Sequence, residues 1–291
     1  MSPARPPRAT KRPLRDPRAR TAVRSTKDPM NARRKNSEPE LAPATISEAD
    51  GVRYLHLGTP WVQGAMRIRQ SLALELEYIQ RMMVWMLLRP SEQLTRGHAV
   101  QLGLGAAAIT RFCHSTLRLR CTAVELNPSV IDACRMWFHL PNESARFAVL
   151  QMDAAAFVAD PARMDSVQAL CVDLYDHDAA SPVLDSAAFY AGCYRVLADG
   201  GVMTVNLFGR DASFERSAAR IAAAFGDAQV WSLRPTKEGN TVVVALKHAP
   251  MPDRAALAAR ADNIEQRFKL PAKKWLRMIR PLAAAGVATE P

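Results

Sequence analysis

The chain has 291 residues, of which 48% are hydrophobic and 23% are charged. This composition is typical of a globular protein and excludes a chain that is disordered throughout or a collagen-like repeat. The longest apolar run, Met82–Leu88, has only seven residues, whereas a membrane helix needs roughly 18, so we expect no membrane-spanning segment. The cysteines form no Cys-x-x-Cys pair, which favours reduced thiols and a cytoplasmic location.

The first 45 residues are rich in Pro, Arg, Ser and Thr and contain almost no large apolar side chains. Such a segment cannot bury enough surface to offset its loss of chain entropy, so we predict that residues 1–45 form a disordered basic tail. Most of the net charge of +11 lies in this tail. Positive charge attracts nucleic acid, but the tail has no aromatic residues on which bases could stack. A solubilising tail and an over-extended gene start are the alternatives, and we expect no specific nucleic-acid contact.

Residues 46–92 are predicted to form a small N-terminal region, a β-hairpin followed by a helix. Val52–Leu57 and Trp61–Arg69 are strand-like stretches on either side of a Gly-Thr-Pro turn. The helix is predicted to begin at Ser71, whose hydroxyl can cap it, and to end at Leu88, before Pro90.

Strand-like and helix-like segments then alternate over residues 93–248. The predicted strands are His98–Leu102, Leu119–Glu125, Arg146–Gln151, Gln168–Leu174, Gly201–Leu207, Ala228–Leu233 and Thr241–Leu246. The predicted helices are Ala106–His114, Pro128–Phe138, Asp153–Ala159, Asp185–Leu197 and Asp211–Phe225. This alternation predicts an α/β fold, a doubly wound, mostly parallel, seven-stranded Rossmann-like sheet with its ligand crevice at the strand carboxyl ends. Because no helix separates the last two strands, we predict an antiparallel hairpin there.

Residues 249–291 are predicted to form a C-terminal helix and a basic tail. Over Asp253–Leu270 the apolar residues Leu257, Ala261, Ile264 and Phe268 fall on one stripe of an amphipathic helix. We interpret Lys273–Arg280 as a solvated helix end.

Small residues occupy the turn after the first strand of the alternating region, at residues 103–108 (Gly-Leu-Gly-Ala-Ala-Ala). Such a turn lets the backbone approach a ligand, although a plain tight turn has the same pattern. Glu125 ends the next strand, about twenty residues after the glycines. This spacing favours an acid that accepts hydrogen bonds from ribose hydroxyls over an ordinary acid at a helix entry.

Two further strands are also followed by acidic residues. Asp153 can accept a hydrogen bond from an adenine amino group, or it can simply cap the next helix. Asp173 and Asp176 can face one pocket, where they would attract a cationic substrate and accept a proton from an amine; a solvated loop pair is the alternative. Together with the glycine turn, these acids predict a site for an adenosine-containing ligand. An NAD-binding protein would need only the turn and Glu125.

The ordered set of motifs between Gly51 and Lys247 resembles the spermidine synthase (polyamine aminopropyltransferase) family. Residues 173–190, DLYDHDAASPVLDSAAFY, are similar to the family's Asp-Ser-Ser-Asp-Pro…Phe-Tyr segment. Residues 124–141, VELNPSVIDACRMWFHLP, resemble its ribose-binding strand and the helix that follows. Gln63 and Tyr78 stand where the family has nucleoside- and amine-contacting residues.

The resemblance implies a small β-domain on a class I methyltransferase-like core, which transfers an aminopropyl group from decarboxylated S-adenosylmethionine to a diamine or polyamine without a metal. It would place the following residues against the donor: Gln63, Gly103, Gly105, Glu125 at the ribose, Asp153 at the adenine, Ala154 and Asp173. It would place Asp176, Asp173 and Tyr78 in catalysis, with Asp176 helping to deprotonate the attacking amine. Family members also form dimers or tetramers, so the resemblance implies a homodimer as one assembly.

Several positions depart from the family pattern. Ala106 stands where the glycine loop usually carries an acid, and Asn206 stands where the fifth strand usually carries Gln. Residues 177–180 and the turn at 235–240 also differ from the usual acceptor-binding loops. These departures keep two alternatives open, namely a methyltransferase that uses S-adenosylmethionine and a non-catalytic protein that binds nucleosides or polyamines.

Overall fold

The computed structural model describes residues 41–174, 182–208 and 212–282. The strands are β1 (Ala44–Ala49), β2 (Val52–Leu57), β3 (Gly64–Arg67), β4 (His98–Leu102), β5 (Arg120–Glu125), β6 (Phe147–Gln151), β7 (Val167–Val172), β8 (Leu197–Phe208), β9 (Val230–Ser232), β10 (Asn240–Leu246) and β11 (Arg280–Pro281). The helices are α1 (Glu77–Met82), α2 (Trp85–Leu88), α3 (Ala108–Arg111), α4 (Pro128–Trp137), α5 (Ala154–Ala159), α6 (Ala187–Val196), α7 (Ala212–Phe225), α8 (Arg254–Phe268) and α9 (Ala272–Met278).

The main sheet has eight strands in the order β11-β9-β10-β8-β7-β4-β5-β6. Strands β4, β5, β6, β7 and β8 are parallel, whereas β10 is antiparallel to both β8 and β9. This confirms the predicted α/β fold and the terminal hairpin; the prediction of seven strands omitted the two-residue β11. Strand β5 pairs with one edge of β4, and β7 pairs with its other edge. The connections that follow β4 and β7 therefore diverge at the carboxyl end of β4, and the crevice between them is where ligands bind in such sheets.

The N-terminal sheet has three antiparallel strands in the order β1-β2-β3. Only β2 and β3 were predicted from the sequence. The second of these was expected to start at Trp61, whereas β3 begins at Gly64 and Trp61 is exposed. Strand β1 was missed because it is a largely exposed edge strand with few apolar side chains to mark it. Its entry is tied to the main domain, since Ala44 N donates to Ser129 Oγ at 2.9 Å.

The single helix predicted from Ser71 to Leu88 is wrong. The structure has two short helices instead, α1 and α2, and α1 begins after Leu76 without a side-chain cap. Ser71 does not cap a helix; its carbonyl accepts a hydrogen bond from Arg111 Nε at 3.0 Å. Tertiary contacts with a buried arginine therefore override the local helix signal.

The core covers both faces of the main sheet. One face packs against α2, α8 and α9, and the other against α5, α6 and α7. The apolar run Met82–Leu88 is completely buried, which explains its composition without a membrane. No helix in the described ranges is long and apolar enough to span a bilayer.

The C-terminal segment belongs to this core. Helix α8 buries Leu257, Ala261 and Ile264 of the predicted stripe, and Phe268 at its end is half-buried against the same core. The interpretation of Lys273–Arg280 as a solvated helix end is wrong for Trp275, which is only 1% exposed in α9. Lys274, on the same helix, donates to Glu77 Oε1 at 2.6 Å and so links α9 to the first residue of α1.

Candidate active site

The glycine turn brings the carboxyl ends of β4 and β7 together. Gly103 has a φ of +83°, and a Cβ atom at this position would lie 2.0 Å from the carbonyl oxygen of Asp173. Only glycine can combine this conformation with so close a contact. The turn is therefore built around the backbone of the residue that follows β7.

Buried side chains hold the carbonyl groups of this turn. Gln101 Nε2 donates to Gly103 O at 2.7 Å, and its Oε1 accepts from Thr110. Cys134 Sγ donates to Gly105 O at 3.0 Å. Arg111 Nη1 donates to the carbonyl of Ala106. Because each of these carbonyl groups has a buried partner, the turn is preorganised before any ligand arrives.

Glu125 lies at the end of β5, beside the turn, as the spacing predicted. Its Oε2 accepts from Leu104 N at 2.8 Å, and its Oε1 accepts from Asn127 N at 2.8 Å. Burial raises the pKa of Glu125, while these backbone N–H groups oppose that rise. A carboxylate can accept about four hydrogen bonds, so Glu125 retains capacity for the hydroxyl groups of a ligand.

Asp153 is exposed at the end of β6, where its Oδ1 accepts from Ala156 N at 3.0 Å. The helix-capping role considered from the sequence is therefore present. Capping engages one oxygen and does not prevent the carboxylate from also accepting a hydrogen bond from an adenine. Ala154, the next residue, is buried in α5.

Asp173 follows β7 and receives hydrogen bonds from two different segments. Asn206 Nδ2, from β8, donates to Oδ1 at 2.9 Å, and Tyr78 OH, from α1, donates to Oδ2 at 3.3 Å. Desolvation raises the pKa of Asp173 to about 6, against the lowering effect of both hydrogen bonds. The structure thus brings together Tyr78 and Asp173, which are 95 residues apart in sequence.

The N-terminal sheet contacts the turn through β3 and the residue before it. Gln63 is half-buried, and its carbonyl oxygen lies 3.2 Å from the position a Cβ of Gly105 would occupy. Gly64 faces Ala106 so closely that a Cβ on Gly64 would lie 2.6 Å from the Ala106 Cβ. These contacts put Gln63 next to the loop, and its contact with a nucleoside stays a prediction. Asp176 and residues 177–180 lie outside the described residues.

Asn240 was not predicted from the sequence as a site residue. Because β10 runs antiparallel to β8, its first residue lies at the carboxyl edge of the parallel strands. Asn240 Nδ2 donates to Asn206 Oδ1 at 3.1 Å. A polar residue opening an otherwise apolar strand was the available signal, but its relevance depends on the strand direction.

The chain is similar to proteins of known families. The family model described as "Spermine/spermidine synthase domain" matches residues 109–225. A polyamine aminopropyltransferase of Chromobacterium violaceum is 30% identical over 244 residues, which cover 83% of this chain and 91% of the relative.

Solved structures give the same fold. A probable spermidine synthase from Corynebacterium glutamicum has a TM-score of 0.65 at 18% identity, with 87% of this chain and 97% of that chain covered. Human methyltransferase-like protein 13, solved in complex with SAH, has a TM-score of 0.57 at 21% identity, with 74% and 99% covered. The spermidine synthase fold is thus built on a core shared with methyltransferases. On the extent and identity of the sequence match, the chain belongs to the spermidine synthase (polyamine aminopropyltransferase) family.

Proposed function

We propose that this protein transfers an aminopropyl group from decarboxylated S-adenosylmethionine to a diamine or polyamine. The observation that carries the proposal is the position of Asp173, which combines a carboxylate, Tyr78 OH and the glycine turn at one point of the sheet edge. Family membership supports the same reaction.

The nitrogen of the acceptor must attack the aminopropyl carbon bonded to the sulfonium. The new C–N bond forms as the C–S bond breaks, the bonding electrons go to sulfur, and methylthioadenosine leaves without charge. A free amine has a pKa of ~10, so the acceptor has to lose a proton before or during the attack. Asp176 takes that proton in this proposal, a role that rests on the family resemblance.

Asp173 holds a cationic amine beside the reacting atoms. Its carboxylate is ionised above pH 6, because its pKa is about 6, and an ionised carboxylate attracts an ammonium group. Tyr78 and Asn206 fix the carboxylate from two sides. Such fixed positioning lowers the entropic cost of aligning nitrogen, carbon and sulfur.

The donor lies along the carboxyl ends of β4, β5 and β6 in this proposal. Glu125 accepts hydrogen bonds from the ribose hydroxyl groups, and Asp153 accepts one from the adenine amino group. Gln63, Gly103, Gly105 and Ala154 line the path of the nucleoside. The support is the placement of Glu125 against the preorganised turn.

Methyl transfer from S-adenosylmethionine is the second candidate. The presence of alanine instead of an acid at position 106 favours it. Ala106 is buried against Gly64 and offers no carboxylate to hold an aminopropyl ammonium. A donor that keeps its own carboxylate needs less negative charge at this point.

A product assay by mass spectrometry separates the candidates. The purified full chain is incubated with each donor and with putrescine, cadaverine or spermidine. Methylthioadenosine together with a lengthened polyamine supports aminopropyl transfer, whereas S-adenosylhomocysteine supports methyl transfer. Asp176→Asn should lower aminopropyl transfer by ~100-fold or more, the usual scale for a general base; unchanged turnover would remove Asp176 from the mechanism.

A further inference from the structure

A line of hydrogen bonds runs from the β9–β10 turn to Asp173. Thr236 Oγ1 donates to Asn240 Oδ1 at 3.5 Å, Asn240 Nδ2 donates to Asn206 Oδ1 at 3.1 Å, and Asn206 Nδ2 donates to Asp173 Oδ1 at 2.9 Å. We call these four residues the amide chain.

The direction of the amide chain follows from its last member. An ionised carboxylate can only accept hydrogen bonds, so Asn206 must turn its NH₂ group toward Asp173 and its carbonyl oxygen away. That oxygen needs a donor, and the NH₂ group of Asn240 supplies it. Asn240 in turn presents its own carbonyl oxygen to the Thr236 hydroxyl.

The surroundings keep this arrangement in place. Asn206 is 1% exposed and Thr236 is 4% exposed. The backbone of Thr236 is tied to Asn240 in both directions, with Thr236 N donating to Asn240 O at 2.8 Å and Asn240 N donating to Thr236 Oγ1 at 3.2 Å. The short turn therefore fixes the Asn240 side chain, and Asn240 fixes the buried amide between two strands.

We propose that Asn240 is a positioning residue. It acts through Asn206 to keep the Asp173 carboxylate ionised and oriented toward the amine substrate that receives the aminopropyl group. The reference to the amine rests on the proposed aminopropyl transfer; the action on Asp173 does not. Without Asn240, the Asn206 carbonyl oxygen loses this donor, and the orientation that presents its NH₂ group to the carboxylate is less favoured over the reversed one, in which the carbonyl oxygen faces the carboxylate. The repulsion of two oxygens would favour the protonated acid, which cannot hold a cation.

Within the part of the chain that the structure describes, the titratable groups that interact with Asp173 come from two elements. Tyr78 on α1 donates to it, and the Cys171 thiol on β7 has its pKa raised to about 12 by burial. Asn206 on β8 does not titrate. Between pH 5 and 8 the thiol stays neutral. The titratable side chains of residues 176–178 lie outside the described residues and are the same in every variant, so a difference between variants in the titration of Asp173 reports on its hydrogen bonds.

The first measurement is the titration of the Asp173 carboxyl by carbon NMR on the full chain without substrate, with Asp173→Asn used to assign the signal. Asn206→Leu should raise the midpoint by about one pH unit, the size expected when a carboxylate loses one donor. Asn240→Leu, which is similar in size and uncharged, should raise it by about half as much. Asn142→Leu makes the same chemical change at an exposed site and should leave the midpoint unchanged.

A double-variant cycle tests whether Asn240 acts through Asn206. Once Asn206→Leu is present, adding Asn240→Leu should not move the midpoint further, because the intermediary is gone. Additive shifts, or an unchanged midpoint in Asn240→Leu, would overturn the proposal. If Asn240→Leu does not fold, Thr236→Val tests the proposal instead, because it removes the hydroxyl that donates to Asn240; it should raise the Asp173 midpoint, whereas Thr236→Ser, which keeps the hydroxyl, should behave as wild type.

The second measurement is the pH profile of kcat/KM for aminopropyl transfer. In Asn240→Leu its acid limb should move upward with the NMR midpoint, which lowers kcat/KM about twofold at pH 6 and about threefold well below that pH. An acid limb that stays in place while the midpoint moves would overturn the link to the acceptor amine. A wild-type chain without aminopropyl transfer would refute the proposed function alone, since the NMR titration requires no turnover.

Discussion

Gly64 and Ala106 lie in direct contact where the N-terminal sheet meets the glycine turn. A Cβ atom on Gly64 would lie 2.5 Å from the Ala106 backbone nitrogen, closer than any stable contact. Gly64 is therefore required by close approach of two chain segments, and this approach sets the position of Gln63 beside the turn.

The variant Gly64→Ala should separate the two segments. We expect a loss of about 1–3 kcal/mol in the free energy of unfolding, as for other overpacked sites, and weaker binding of methylthioadenosine in a calorimetric titration. Adding Ala106→Gly should restore little, because the clash with the backbone nitrogen remains. Gly200→Ala serves as the control for binding: its Cβ would meet nothing, but its φ of +71° strains any residue other than glycine, so the variant should lose stability and still bind the nucleoside as wild type does. Wild-type binding by Gly64→Ala would contradict this account.

Asp173 should make the protein less stable as the pH rises. Its pKa is raised from 3.8 to about 6, so between these values the folded protein keeps a proton that the unfolded chain releases. The contribution to stability is therefore present below about pH 4 and is lost as the pH rises through 6.

Asp173→Asn should remove this pH dependence while abolishing productive amine binding. Asn can present its oxygen to Asn206 and its NH₂ group to the Tyr78 hydroxyl, which can also accept. We expect the free energy of unfolding at pH 8 to increase by about 1–2 kcal/mol, with no gain at pH 4. Denaturant titrations at several pH values measure this, with the exposed Asp227→Asn as control. Equal changes at both pH values would rule out the titration of Asp173 as their source.

The sequence contained most of the information on the parallel sheet. Each parallel strand was found within a few residues because its apolar run and the following turn are local signals, and Glu125 was located from its spacing to the glycines. The irregular N-terminal region was not predictable in this way. Ser71 has the chemistry of a helix cap, yet a distant arginine, Arg111, engages its carbonyl instead.

The position of a candidate site residue was predictable where the residue ends a parallel strand and was not predictable elsewhere. Asp173 was identified for this reason. Asn240 was overlooked because it begins its strand, and only the antiparallel pairing of β10 with β8 brings it to the same edge. The burial of Trp275 was also missed because it depends on tertiary packing. Its basic neighbours in the sequence predicted a solvent-exposed helix end.

Ala107 has a backbone conformation that favours glycine, with a φ of +56°. Ala107→Gly should relieve this strain. Ala108→Gly, at the first residue of α3, has no such strain to relieve and increases the conformational entropy that the backbone loses on folding. Both changes remove one buried methyl group, so their difference isolates the conformational effect. We expect Ala107→Gly to be more stable than Ala108→Gly by about 1 kcal/mol or more in thermal unfolding. Equal stability would show that the left-handed conformation costs nothing here.

The role of Glu125 can be tested with the ligand as well as with the protein. Gln in place of Glu125 can accept only through its single oxygen, so one of the backbone N–H groups of Leu104 and Asn127 loses its partner, and the charge that strengthens hydrogen bonds from ribose is gone. We expect the wild-type chain to bind methylthioadenosine at least about tenfold more tightly than its 2′,3′-dideoxy analogue, and Glu125→Gln to bind both with nearly equal affinity. Asp153→Asn keeps the helix cap and should keep the preference for the intact ribose, because Asp153 is assigned to the adenine. If Glu125→Gln keeps the full preference for the intact ribose, the ribose must bind elsewhere on the sheet edge, because a carboxylate that is absent from the variant cannot cause that preference.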